Sequence, residues 1–567
     1  MNTAIQIFLL VDYEEYYGTK LCYDDARELI RGIPSLTLLH YLSGFDVNCY
    51  LNDNSDSTGN MQGALCQQVL SIAGEAHMKK WNEVVLKCHT KGFNPYFIYN
   101  YSTLLFYGLI FKEFNDLPGR NLTSDEAKRL FDAYLILNGQ TNSRIVLTPE
   151  EETHKNEESF FEDVLMSKFA YQKDFTSTID FSNQVVRGAT FFEYLERHPK
   201  YKTYLIEYYT LLNVSGWKML LRSLICIFSE LGLHTKDFQK NHLVNLERYN
   251  QDGDVELPYI NQLIINPHID TYQEDESFSL LRNHMLCKIS PFAFFVLDVN
   301  FFIDQFYKAQ VFKFNSFLKS KGIIDETFLS EKAKGFMEDT NLQMIISICF
   351  PIVVKYFGDQ ALNSTGTELC DVYMRSGKMI GLIEFKDVLI SAKAKNSGDQ
   401  KAFFKELDLK FYENQKKKAK GIRQLLNAIE DVEKKGISFD EIQSGAQCEI
   451  FPIILYTDST LGNEGINKRF TNKFRKDLEK LQVTNHKIHD PTFINLNFFE
   501  LQQDLFEAGM LDFFDMLTCY HEHIKAKAYQ QTPFEVFSRF YMRENLPDDV
   551  KPIKFFSKVV SRILKEK

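Results

Sequence analysis

Apolar and polar positions divide this chain into a first half that reads as helical and a second half where helix and strand patterns alternate. In the first half, Asp24 to Leu42 carries apolar residues at helical spacing, with a break near Gly32-Ile33-Pro34, and Gly63 to Lys87 repeats that spacing. The aromatic stretch NPYFIYNYSTLLFYGLIFKEF predicts another helix. LTSDEAKRLFDAYLILNG predicts one that opens on a Ser/Asp cap and closes at Asn138-Gly139. YKTYLIEYYTLLNV and WKMLLRSLICIFSELG continue the helical pattern beyond residue 200. An acidic run from Pro149 to Asp163 and a polar, turn-rich stretch over 250–277 mark composition shifts. They predict three regions: a mainly helical 1–150, a helical regulatory or partner-binding 151–275, and 276–567.

In the last region the periods change. A helical stretch ends in AKGFMEDTNLQMIISICFPIVVKYFG. Thr367 to Met374 is a short β-prone run, Arg375-Ser376-Gly377-Lys378 supplies turn chemistry, and Met379 to Lys386 returns as a mostly apolar strand, so a β-hairpin is expected. From Ala402 to Lys435 the apolar residues Phe404, Leu407, Phe411, Ala419, Ile422, Leu426 and Ile429 form one helical stripe. EIFPIILYTD has the Ile-rich character of a strand buried on both faces. A charged helix (NKRFTNKFRKDLEKL), a strand (PTFINLN) and a helix (FFELQQDLFEAG) follow. Right-handed crossovers would set the helix-linked strand beside the hairpin.

Composition narrows the class. The 567 residues allow two to four domains, and 44% hydrophobic with 25% charged residues is ordinary for a globular chain. Low Gly and Pro (27 and 14) favour helices over an all-β chain, and the 50 Phe and 28 Tyr are expected mainly in the core. A net charge of −11 excludes a uniformly basic nucleic-acid coat, so such a surface would have to be local. The ten cysteines form no CxxC pair and mostly lie in apolar runs, as reduced buried thiols do. The start lacks a basic signal-peptide region, and no apolar run approaches the roughly 18–20 residues of a membrane span. A cytoplasmic chain without membrane association is expected.

The candidate chemistry lies on the hairpin. Alternation puts Glu384 and Lys386 on one strand face, with Asp371 on the partner strand. Two carboxylates and an amine there are costly to bury unless paired, and a divalent metal would pair them. Asp371 followed by Glu384-Phe385-Lys386 resembles the D…(D/E)xK core of the PD-(D/E)XK nuclease superfamily, and the element order resembles its α-β-β-β-α-β, restriction-endonuclease-like α/β core. The resemblance covers roughly residues 280–540, with a mainly α-helical N-terminal half outside it. It implies Mg2+ (or Mn2+) held by Asp371, Glu384 and the carbonyl of Phe385, with Lys386 orienting or deprotonating the attacking water.

Gly335-Phe336-Met337-Glu338 is similar to the family's G-x-x-(F)E-like pattern, which makes Glu338 a further ligand or water holder. The alternative is an acid favoured by the dipole of a helix's first turn. Glu368, three residues before Asp371, reads as a surface strand residue or a second-shell acid. The family commonly sets a Gln or Lys from the next helix over the scissile phosphate, and two candidates stay open. Lys420 to Leu425 resembles its K-x-x-x-Q-L pattern, favouring Gln424 and Lys420, whereas helical arithmetic puts Gln415 on the apolar stripe and Gln424 opposite.

Residues 391–425 hold ten Lys/Arg against four acids. Lys416, Lys417, Lys418, Lys420 and Arg423 therefore read either as phosphate contacts or as a solvated helix face. CYHEH (Cys519, His521, His523) looks metal-like without a second ligand pair, and Cys88-His89 is a weak nucleophile pair. There is no GxxxxGK[ST] or GxGxxG. The expected activity is metal-dependent hydrolysis of nucleic acid, DNA ahead of RNA, with bacterial anti-phage defence effectors as an analogy. The helical half would serve a homo-oligomer or a partner protein. The alternative is a catalytically inactive nucleic-acid-binding or scaffold subunit of a defence or repair complex.

Overall fold

A computed structural model describes residues 9–51, 58–91, 95–144, 147, 153, 160–168, 170, 179–232, 241–323, 327–363, 366–396, 399–440, 442, 447–481, 483–547 and 554–565. The chain divides into two compact units. One is built mainly from Asp325–Ser557 with Leu147–Asp174, the other from Ile7–Val146 and Phe175–Ile324 with Lys558–Lys567.

The first unit is organised on a six-stranded mixed sheet. Its strands are β1 (Val354–Phe357), β2 (Val372–Ser376), β3 (Met379–Lys386), β4 (Glu449–Tyr456), β5 (Lys487–Ile488) and β6 (Thr492–Asn495). β1, β2 and β3 pair antiparallel in succession, β3 runs parallel to β4, and β5 and β6 both lie parallel along the other edge of β4. The β2–β3 turn is two residues long, between Ser376 and Met379. Gly377 there takes φ 60°, which a first central turn residue of this hairpin type requires. All of β3 but its two ends is buried, as expected of a strand with a parallel neighbour.

Helix Ile422–Lys435 sets Ile422, Leu425, Leu426, Ile429 and Val432 in one core with Ile380 and Leu382 of β3 and Ile450 and Ile454 of β4. Phe403, Leu407 and Phe411 of helix Gln400–Phe411 join that core. Each such side chain contributes about 1.5–3 kcal/mol of burial.

Three sequence expectations change here. The stripe from Ala402 to Lys435 is two helices separated by an irregular 412–421. Asn414 accepts the backbone N–H groups of Lys416 and Lys418 at 3.0 and 2.9 Å, and Lys417 takes φ 57°. These turn hydrogen bonds compete with helical ones. The first hairpin strand begins at Val372 rather than Thr367, and one further bond, from the Gly358 N–H to the Asp371 carbonyl at 3.0 Å, follows the last β1–β2 pair. Val354–Phe357, read as the end of a helix, is the edge strand β1.

The second unit is mainly helical, with long helices Ser35–Leu51, Ser124–Ser143, Phe181–Arg197 and Trp217–Gly232. It also holds a three-stranded antiparallel sheet in which Ala293–Val296 pairs with both Leu243–Asn245 and Leu286–Lys288. That pairing is why residues 276–324 belong to this unit, not to the sheet unit as the 276 boundary implied. Conversely, Phe161, Met166 and Ala170, from the expected regulatory region 151–275, lie in the core of the sheet unit. Among the described residues no single helix is long and apolar enough to cross a membrane, although the bent pair Lys202–Leu212 and Trp217–Gly232 meets that test jointly.

Candidate active site

Four carboxylates and one half-buried amine converge at the end of β3. Glu384 and Lys386 share a face of that strand by simple alternation. Lys386 Nζ lies 2.7 Å from Glu384 Oε2 and 3.8 Å from Asp371 Oδ2. Asp371 immediately precedes β2, and its Oδ2 accepts the backbone N–H of Phe385 at 2.6 Å. One ammonium therefore touches both acids, and the residue between Glu384 and Lys386 is fastened to the third member of the motif.

Glu338 arrives from a separate element. Residues Lys332–Leu342 form a helix with wide π-type turns, which runs directly into the α-helix Gln343–Cys349. Such turns are uncommon and concentrate at functional sites. One oxygen each from Glu338, Glu368 and Asp371 lies within 4.8 Å of the other two. Glu338 thus lies in the cluster, inside the helix Lys332–Leu342 rather than in its first turn. Glu368, read as a surface residue or an acid supporting the metal ligands, is exposed and lies in the cluster as well. No sequence signal marks it, since residues 366–371 lie in irregular backbone that folds back over Gly358, whose added Cβ would meet Glu368 Oε1 at 3.1 Å.

The crowding has electrostatic consequences. Burial first, and then the charge of Asp371, push Glu384 up to about 8, against the opposing pull of Lys386. The same two causes push Glu338 up to about 7, and Glu368 is also raised. Burial alone would lower Lys386, yet Glu384 and Asp371 outweigh it and hold its pKa above the ordinary value. The two carboxylates thus favour the ammonium form of Lys386, the form that donates hydrogen bonds.

The surroundings fix the geometry. Lys332 Nζ pairs with Asp387 Oδ2 at 2.5 Å, and Thr457 Oγ1 donates to Asp387 Oδ1 at 2.7 Å. This fastens the helix bearing Glu338 to the residue after Lys386. Lys334 pairs with Glu338 and lies 3.5 Å from Asp339.

The remaining sequence candidates separate. Lys420 is held below its usual pKa by burial and by Lys386 and Lys418, and Glu384 opposes that shift, so its ammonium shares the field of the site. Lys416, Lys417 and Lys418 are exposed in the 412–421 loop. Arg423 pairs with Glu413 and covers the Tyr412 ring. Gln415 is exposed and off any helix. Gln424 accepts the N–H of Gly421 at 2.8 Å and so caps its own helix. Among the described residues, neither glutamine hydrogen-bonds a site carboxylate. In CYHEH, His521 shares a hydrogen bond with Thr492 Oγ1 at 2.8 Å and lies beside the stacked pair of Phe451 and His489, 6.1 and 5.5 Å from their ring centres, while His523 stacks on Tyr529. These rings pack as core. Comparisons with protein-family models, with curated proteins and with solved structures gave no match to this chain.

Proposed function

We propose that the chain is a metal-dependent nuclease, hydrolysing phosphodiester bonds of nucleic acid, DNA ahead of RNA, through a PD-(D/E)XK-like site. The observation that carries this reading is the convergence of Asp371, Glu384, Glu338 and Glu368, from separate segments, around Lys386. An all-oxygen set of this kind suits Mg2+ or Mn2+, and a cation among carboxylates that raise one another's pKa would relieve their mutual repulsion. A bound divalent ion would supply Lewis acidity and a lowered water pKa at the scissile phosphate. The order helix, β1, β2, β3, helix, β4 agrees with the α-β-β-β-α-β core, which supports the same reading.

The roles of the chain's own groups follow from their chemistry. Asp371 and Glu384 hold the cation, with Glu338 and Glu368 as further oxygen donors. Lys386 orients the attacking water by donating to it. Water adds to phosphorus, one ester P–O bond breaks, and a phosphomonoester and an alcohol result. Lys420 and the exposed Lys416–Lys418 lysines suit contacts to backbone phosphates, which would make binding weaken with salt. The deciding experiment incubates the full chain with plasmid, single-stranded DNA and RNA, with and without Mg2+. Cleavage of at least one substrate only in the presence of the divalent ion is expected. Intact substrates under every condition would leave a binding or scaffold protein.

A further inference from the structure

One carboxylate ties three elements together at the end of the sheet where the acids meet. Asp387 directly follows Lys386, the last residue of β3. Its Oδ2 pairs with Lys332 Nζ at 2.5 Å, and its Oδ1 accepts a hydrogen bond from Thr457 Oγ1 at 2.7 Å. Lys332 opens the helix Lys332–Leu342, and Thr457 directly follows β4. β3 and β4 run side by side here, with Lys386 opposite Tyr456. The Lys332 and Asp387 side chains are only 11% and 10% exposed, so water and salt screen their pairing little.

The helix that Lys332 opens carries Glu338 and is anchored at both ends. At its far end Asn341 Nδ2 donates to Glu500 Oε1 at 3.0 Å, and both of these side chains are buried. Within it, Thr340 Oγ1 donates to the Gly335 carbonyl five residues back at 2.7 Å, in keeping with the wide turns. Glu338 stands between the two anchors. Its own ion pair is to Lys334, whose side chain is 55% exposed, and exposed pairs fix geometry weakly. The place of Glu338 beside Asp371 and Glu368 is therefore set by where its helix is held. Of the two anchors, Lys332–Asp387 is the one that refers the helix to the strand bearing Glu384 and Lys386.

We propose that Asp387 is a positioning residue of the cation site: by holding Lys332 against the end of β3, it sets Glu338 within reach of the ion. The inference rests on the reading that these carboxylates hold a divalent cation. Asp387 keeps its own oxygens on Lys332 and Thr457 and acts through Glu338. The test titrates Mn2+ at pH 8 into the full chain as wild type, Asp387→Asn, Glu338→Gln and the double variant, with thermal denaturation to verify that each is folded. Asp387→Asn is expected to bind Mn2+ about tenfold more weakly, the loss that follows removal of a partner that orients a ligand. Glu338→Gln keeps Asp371 and Glu384 as oxygen donors, so its weakened binding stays measurable. In that background Asp387→Asn should cost little more, because substitutions acting through one group are not additive. Lys332→Gln removes the same ion pair from its other side and should follow the same pattern; it replaces Asp387→Asn if that variant fails to fold. Equal affinity of wild type and Asp387→Asn, or an equal loss with and without Glu338, overturns this inference alone. No uptake of Mn2+ by wild type overturns the cation reading and the inference with it.

Discussion

Glu384→Gln is expected to abolish the proposed divalent-ion-dependent cleavage while leaving the fold intact. The expected loss exceeds about 100-fold, since removing partners that merely orient a metal's ligands already costs about 10–100-fold, and Glu384 is assigned as a ligand itself. The neutral isostere keeps an oxygen for the Lys386 ammonium, which sits 2.7 Å from Glu384 and 3.8 Å from Asp371. It also removes one negative charge from a cluster whose members raise one another's pKa. Without divalent ions the variant should therefore melt no lower than wild type, so lost activity reads as lost chemistry rather than unfolding. Cleavage kinetics and thermal denaturation, measured on one preparation, check both halves. Undiminished cutting by the variant would move the activity elsewhere in the chain.

Gly188→Ala is the substitution expected to damage the helical unit most. Gly188 lies inside helix Phe181–Arg197, where glycine normally costs about 1 kcal/mol against alanine. Here the added methyl would stand 2.2 Å from the carbonyl oxygen of Phe306 and 3.0 Å from its carbon. Phe306 is fully buried and its N–H is bonded to Ile303, so its backbone has little room to retreat. A clash with fixed backbone lies at or above the upper end of the usual 1–3 kcal/mol range for overpacking. The net loss should be at least about 2 kcal/mol in denaturant unfolding. Gly63, with nothing within 4 Å of its added Cβ, is the control, and Gly63→Ala there should be neutral or stabilising. Equal behaviour of the two variants would show that the helix can shift away from Phe306.

The sequence made the hairpin legible because two independent patterns met there. Alternation fixed the face shared by Glu384 and Lys386, and a glycine stood where the turn needs positive φ. The split of 402–435 was hidden because both helices keep their apolar residues in one core, and the period carries across the polar loop between them. What breaks the helix is an Asn414 side chain bonding its own neighbours, a signal weaker than the stripe around it. Glu368 and the 325 boundary were hidden for another reason. Each depends on chain distant in sequence: the fold of 366–371 over Gly358, and the pairing of Ala293–Val296 with Leu243–Asn245. Local periodicity carries no information about such pairings.

The claim on which the rest depends is that the acids around Lys386 hold a divalent cation. Titration of Mn2+ into the full chain at pH 8 and pH 6, with Asp371→Asn beside wild type, addresses it directly. Glu384 and Glu338 take up protons below about 8 and about 7, so protons compete with the ion as the pH falls. Wild type should bind Mn2+ at pH 8 and at least about tenfold more weakly at pH 6, and Asp371→Asn should lose the binding at both. No binding by wild type at pH 8, or equal binding by wild type and Asp371→Asn, would contradict the account.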